Sequence, residues 1–433
     1  MSAAARSPEH VANPYAILGN RNLSFYLTGR FMASFGQQML TVAIGWELYQ
    51  RTHSALAMML VGLAAFLPMV AMTLPAGHMA DSRDRKKIIV LMQGALALIS
   101  LGLALVSHQK FPVGWMYVCL LLAGICRTFL WSASASFLPQ LVQREEFPLA
   151  VNWSSTTYQF SSMAGPAAGG ALIAWTNSPV TVYLANALTA FFCLLMISLV
   201  QAQHKPSPRR EVSLDSLLGG FRFVFAHRII LGAITLDLFA VLFGGATGLL
   251  PQYAADILKV GPAGLGLLTA ALPVGSMVCA VLMAHRPPLQ KAGRALIVAV
   301  IVFGVATIAF GVSRSYWFSV AMLFVSGFAD NISVIVRHTL VQLLTPDSMR
   351  GRVSSVNNLF IGTSNELGWA ESNLVSQYLG PVFSVVSGGV ATVLVVMGVA
   401  WLWPEIPKFG RLVQPQAPLP PSVTPDPGEV PQE

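Results

Sequence analysis

Charge is what this sequence has least of. Asp, Glu, Lys and Arg together make up 10% of its 433 residues, against about 25% in a typical soluble domain. A soluble enzyme or nucleic-acid-binding domain of this length needs polar surface that so few charges cannot build. Cysteine is scarce as well. Cys119, Cys126, Cys193 and Cys279 lie inside apolar stretches without metal-ligand spacing, so no disulfide framework or metal centre is expected and they read as small packing residues. No Gly-rich loop ending in Gly-Lys is present, which argues against an ATP-driven pump. The paired Asp-rich loops of a membrane prenyltransferase are missing too: Asp81 and Asp84 form the one close pair, without a second cluster and surrounded by cations. Met1 to Asn22 is polar and has no apolar core, so no cleavable signal sequence is expected there.

Apolar residues are abundant instead, at 55% with a mean hydropathy of +0.64. A membrane-crossing helix needs about 20 largely apolar residues. On that measure twelve spans are expected, near 23–48, 54–76, 88–107, 114–137, 149–175, 180–200, 229–251, 262–284, 295–312, 315–338, 353–378 and 381–403. The fold class expected is therefore an all-α membrane protein of two six-helix bundles. The N-terminal bundle covers 23–200 and the C-terminal one 229–403. A segment of 1–22 precedes them, a central loop of 201–228 with a candidate amphipathic helix joins them, and a Pro-rich tail of 404–433 is expected to be disordered.

Between spans two and three, Pro75 to Lys87 reads Pro-Ala-Gly-His-Met-Ala-Asp-Ser-Arg-Asp-Arg-Lys-Lys, which predicts a tight loop. Short loops rich in Lys and Arg stay in the cytoplasm. With twelve spans, 19 of the 26 basic residues fall on the side of this loop and four on the other, while Arg30, Arg127 and Arg337 fall inside spans. The asymmetry places both termini in the cytoplasm of a cell-membrane protein. It also gives the net charge of +8 a topological meaning and removes the case for a nucleic-acid partner.

Six spans and six invite a search for a repeat. Gly124-Ile-Cys-Arg127 in the fourth span matches Gly327-Phe-Ala-Asp330 in the tenth, and Arg30 in the first corresponds to Asp237 in the seventh. The N-terminal half thus carries Arg where the C-terminal half carries Asp. At about 1.5 Å per residue, Arg127 and Asp330 sit roughly 20 Å from the outer ends of their helices. A charge so deep costs several kcal/mol unless it faces the bundle interior or a watery cavity. A structural Arg–Asp pair locking helices together is the other reading, and Arg30 has a third, snorkelling to the cytoplasmic surface. The eleventh span is the most polar and holds Glu366 near mid-depth and Glu371 beyond it. A carboxyl there serves either as a proton carrier or as a neutral hydrogen-bond partner of a neighbouring helix. In the fifth span, Gly165, Pro166, Gly169 and Gly170 predict a kinked helix that another helix approaches closely.

The run Gly77-x-x-x-Asp81-x-x-x-Arg85-Lys86-Lys87 resembles the signature loop of the major facilitator superfamily. Gly165-Pro166-x-x-Gly169-Gly170 is similar to the antiporter motif of that superfamily's exporters. The stretches from Leu236 to Gly245 and from Thr345 to Val353 look like the branch that holds bacterial macrolide and enterobactin exporters. Two departures stand out. Ser82 and Asp84 replace the loop's usual basic residue and Gly, and Ser161 and Thr157 replace upstream glycines of the antiporter motif.

The resemblance implies two bundles rocking around a central cavity, with Asp81 holding an inner gate through Arg85 and the eleventh span. It implies a monomeric secondary active transporter, no enzyme, exporting a small amphipathic molecule (a drug, macrolide or siderophore-like compound) in exchange for protons. Its driving force is the proton gradient, with no bound cofactor and no metal. Asp237, Asp330, Glu366 and Glu371, with Arg30 and Arg127, are then the candidate proton or substrate residues. Uptake or lipid transport on the same fold, or a non-transporting sensor, are the alternatives.

Overall fold

A computed structural model describes residues 15–201, 214–244, 246–287, 290–346, 349–408 and 410. All regular structure among them is helical. The first six long helices are α1 (Arg21–Thr52), α2 (Ala55–Ser82), α3 (Arg85–His108), α4 (Gly114–Phe137), α5 (Phe147–Thr176) and α6 (Val180–Leu199). A shorter α7 (Leu214–Ala226) leads into α8 (Arg228–Phe243). Beyond α8 the chain runs through a 3-10 turn (Ala246–Leu249), the stub α9 (Leu250–Gln252) and a π-helical turn (Tyr253–Ile257). Then come α10 (Gly261–Ala284), α11 (Ala292–Val312), α12 (Tyr316–Leu344), α13 (Arg350–Leu379), α14 (Pro381–Leu402) and the short α15 (Glu405–Lys408).

Local chemistry sets several of these boundaries. Asn20 caps α1, its side chain accepting from the backbone N–H of Asn22 and of Leu23, and His53 ends it in the left-handed region at φ 46°. The stretch expected as a loop from Pro75 to Lys87 is mostly helix. α2 continues through Pro75, Gly77 and Asp81 to Ser82, and only Arg83 and Asp84 lie outside helices. The reason is that hydropathy marks where apolar side chains stop, whereas helical hydrogen bonding runs on into the polar layer. Asp84 has a role that its place in a basic cluster concealed. Its carboxylate accepts from the Lys86 backbone N–H at 3.0 Å and caps α3, where an acidic group also favours the helix N-terminus. The expected span 229–251 is likewise interrupted, since α8 stops at Phe243.

Nine helices among the described residues are long and apolar enough to cross a membrane: α2, α3, α4, α6, α8 with its continuation, α10, α11, α12 and α14. α1, α5 and α13 match them in length, at 32, 30 and 30 residues, but carry more polar groups. α1 packs against α5 and α6, α3 against α4 and α6, and α2 against α4. In the second half α12 packs against α10 and α11, α11 against α14, and α8 against α13 and α14. α7 rests part of its apolar side on α13: Phe221 lies tilted against Phe360 with ring centres 5.9 Å apart and Val224 is buried with Ile230, Val353 and Val356, whereas Phe225 is exposed.

One buried polar cluster holds the first helices together without touching the interface between halves. Glu47 accepts from the Tyr183 hydroxyl at 2.6 Å and pairs with Arg51 at 2.5 Å. Arg51 in turn donates to the carbonyls of Ser107 and Phe111. Glu47→Ala strands both partners, and because Arg51 is partly exposed the cost should be about 3 kcal/mol, the low end for breaking a buried pair. Lower thermal stability of the detergent-purified variant, with a smaller loss for Glu47→Gln, checks this.

Candidate functional site

Two of the charged residues inside the long helices, Arg127 and Glu366, approach each other across α2. Gly124, one turn before Arg127, packs on Ala64 and Pro68 of α2, and the backbone of Glu366 packs near Gly62 of the same helix. α2 therefore brings Arg127 of α4 and Glu366 of α13 to one level. Arg127 lies 13 residues from the N-terminal end of α4 and Glu366 13 residues from the C-terminal end of α13, roughly 20 Å by helical rise. No direct ion pair joins the two side chains among the described residues. Arg127 Nε is buried and has no hydrogen-bond partner among the described residues. Glu371, farther along α13, accepts from the Ser372 hydroxyl at 3.4 Å. Arg30 is half-buried with its guanidinium 5.8 Å from the Tyr26 ring centre, a packing contact within α1.

Asp237 and Asp330 are not partners of Arg30 and Arg127. Asp237 pairs instead with Arg337 of α12, and both side chains are buried. Arg337 stands out in the sequence only as one of three basic residues inside spans. Matching depths was the usable signal, since Asp237 lies nine residues from the N-terminal end of α8 and Arg337 seven from the C-terminal end of α12. Asp330 has no ion-pair partner among the described residues and lines a small cavity together with Asp237.

The signature residues sit at the C-terminal end of α2 and the N-terminal end of α3. Arg85 is buried and donates to the Ala80 carbonyl at 3.1 Å and the Ser136 carbonyl at 3.3 Å. Asp81 is 41% exposed and faces Arg85 at 3.8 Å. Lys86 donates to the carbonyls of Ser198 and Val200 at 2.8 Å, capping the end of α6, whereas Lys87 is exposed and Gly77 has open space around it.

The halves touch at the opposite end. Gly165 and Gly169 pack on α1, and Gly170 meets Gly266 and the Pro262 carbonyl of α10. α5 runs on as helix through Pro166, whose carbonyl faces Gly266. Tyr49 of α1 donates to Asp256, and Gln377 of α13 accepts from the Leu56 backbone N–H at 3.2 Å and the Ser54 hydroxyl at 3.3 Å. The indole of Trp369 fills the space beside Gly62 and Gly248. All these contacts lie in the halves of α1, α2, α5, α10 and α13 away from Asp81. A shallow concavity of about 770 Å³ along Phe383, Val386 and Val390 of α14 is apolar and lies away from these charged residues.

The model of a family described as transmembrane secretion effectors matches residues 12–423. The chain belongs to that family of major facilitator transporters. It is a multi-pass transporter and not an enzyme. Among similar curated proteins are the enterobactin exporters of Citrobacter koseri, 28% identical over 388 residues covering 88% of this chain and 91% of that one, and of Escherichia coli O1:K1, 27% identical with 89% and 92% covered. The fold is shared with a bacterial homologue of the human lysosomal transporter Spinster in an inward-facing, unoccupied conformation. Its TM-score is 0.67 at 14% identity, with 92% of this chain and 98% of that chain covered. A POT family transporter in complex with 5-aminolevulinic acid gives 0.71 at 11% identity, with 89% and 97% covered.

Proposed function

We propose that this protein exports a small amphipathic, siderophore-like molecule in exchange for protons by alternating access. Twelve spans form two six-helix bundles, α1–α6 and α8–α14, with α1, α5 and α13 as the polar spans that face the transport path. Both termini lie in the cytoplasm, as the distribution of Lys and Arg requires. The end of the molecule at which the halves meet is then the outer one, and the conformation is inward-facing. Asp81 and Arg85 belong to an inner latch that closes when the bundles rock. The relatives named as enterobactin exporters support the direction and the substrate class.

The observation that carries the reading is Arg127 opposite Glu366 in the middle of the membrane, on helices from different halves. A carboxyl there exchanges its proton for substrate as the halves separate on one side and then on the other. Arg127 attracts the ionised form, so loss of the proton strengthens the tie between halves. Purified protein in liposomes should move enterobactin against its gradient when a pH difference is imposed, with protons moving in the opposite sense. Glu366→Gln should bind substrate yet respond at least about tenfold less to the pH difference, a loss of about 1.4 kcal/mol of coupling. Transport that is equally fast with and without the pH difference in the wild type would sink proton coupling.

A further inference from the structure

Asp237, Asp330 and Arg337 form a unit in the second half, away from the seam. Asp237 stands on α8, and Arg337 and Asp330 stand seven residues apart on α12, two turns and therefore on one face. Ser333 lies on that face between them. Asp237, Asp330 and Ser333 line one enclosed cavity, walled on its apolar side by Val300 and Phe303 of α11. The room it leaves for the centre of a water is about 10 Å³, enough for about one molecule. Arg337 is buried, and its Nε has no hydrogen-bond partner although the guanidinium is paired with Asp237. A helical side chain leans toward the N-terminus of its helix, so this spare donor is carried toward the cavity and Asp330.

Two carboxyls therefore line one cavity with a single cation beside it, and that cation is paired with Asp237. Asp237 and Arg337 cancel each other, and a second ionised carboxylate beside them would leave a net charge of −1 near the middle of the membrane, at a cost of several kcal/mol. The other charged or titratable groups facing this unit are Cys279 of α10, near Asp330, and His338 of α12, near Arg337. Neither supplies a second fixed cation. We infer that Asp237, Asp330 and Arg337 are a second protonation site, built wholly within the C-terminal half. Asp330 takes and releases the proton, Asp237 is the fixed counter-charge, and Arg337 is a positioning residue that keeps Asp237 ionised.

The step balances. The Asp330 O–H bond breaks and its proton passes to a water in the cavity, which hands a proton on to bulk water beyond the end of α8, while Asp237 stays ionised against Arg337. With Asp330 ionised, Arg337 shares its donors between two carboxylates, which draws α12 toward α8. As a coupling element this rests on the proton-driven reading above, but the site itself is testable without transport.

The test is infrared titration of the purified full-length protein in detergent, following the band of protonated carboxyls. The wild type should show a titrating carboxyl that Asp330→Asn removes and Glu366→Gln leaves in place. Asp237→Asn should remove it as well, because Arg337 then pairs with Asp330 and holds it ionised. Arg337→Gln should add a second protonated carboxyl. If it fails to fold, the doubly neutral Asp237→Asn/Arg337→Gln protein, which leaves no buried charge unpaired, should retain the Asp330 band. In liposomes, Asp330→Asn should lower the number of protons moved per substrate by about half. A wild-type spectrum with no band lost in Asp330→Asn, or Asp330→Asn with unchanged proton stoichiometry, overturns the site. An intact Asp330 band in a protein that transports without proton movement overturns the coupling scheme instead.

Discussion

Gly170→Ala should nearly abolish export while leaving the amount of protein in the membrane close to normal. A methyl group at Gly170 falls on the Pro262 carbonyl oxygen and comes within 2.9 Å of the Gly266 Cα. Both obstacles are backbone, so no side chain can rotate away, and α5 and α10 must move apart. On the other side of the same contact, a methyl at Gly266 would lie 2.5 Å from the Pro166 carbonyl oxygen. Overpacking costs about 1–3 kcal/mol. That cost is paid only when these ends of the halves are together, so it acts on the conformational equilibrium more than on folding. By the usual conversion it shifts the populations roughly five- to 150-fold against the state in which they are joined. Gly398→Ala, which meets nothing within 4 Å, is the matched control. Substrate uptake into everted vesicles measures both. Wild-type rates for Gly170→Ala would show that the halves do not need this contact to close.

The glycine contact was legible in the sequence because it depends on residue size, and small residues spaced along one apolar helix have few other uses. Asp237 and Asp330 were legible as costly charges, since depth follows from counting residues. Their partners were not. Arg30 and Asp237 are related by the repeat, yet the repeat relates equivalent positions in two halves and says nothing about contact between them. Asp237 instead meets Arg337 within its own half, through the packing of α8 on α12. Glu47 escaped notice for a similar reason: it lies four residues from Arg51 near the end of α1, where an exposed i,i+4 pair is ordinary, and only the fold buries it under Tyr183. Asp84 looked like a flaw in a basic loop because the loop itself was drawn too long. Once α2 reaches Ser82 and α3 starts at Arg85, an acidic residue immediately before α3 is what that helix end favours.

A covalent link between residues 54 and 377 should stop transport completely and reversibly. Ser54 stands at the N-cap position of α2 without capping it, and the Gln377 side-chain oxygen accepts from both the Ser54 hydroxyl and the Leu56 backbone N–H. Gln377 thus supplies the α2 N-terminus with an acceptor from the other half, satisfying a donor that the helix leaves open. The bond between Tyr49 and Asp256 spans the same seam, and Trp369 fills it at a deeper level. These are the contacts that outward opening must break. Each is a neutral or singly charged hydrogen bond worth about 0.5–3 kcal/mol net, a size that lets the halves part once substrate and protons redistribute. Replacing Ser54 and Gln377 by cysteine and joining them with a short thiol-specific reagent removes that freedom. The native cysteines do not compete well, since Cys193 and Cys279 are buried and Cys119 and Cys126 half-buried. The linked protein should still bind substrate from the inner side, lose essentially all transport, and recover on reduction. Transport that continues in fully linked protein would mean that the ends joined here never separate, and the direction in which the molecule opens would have to be reversed.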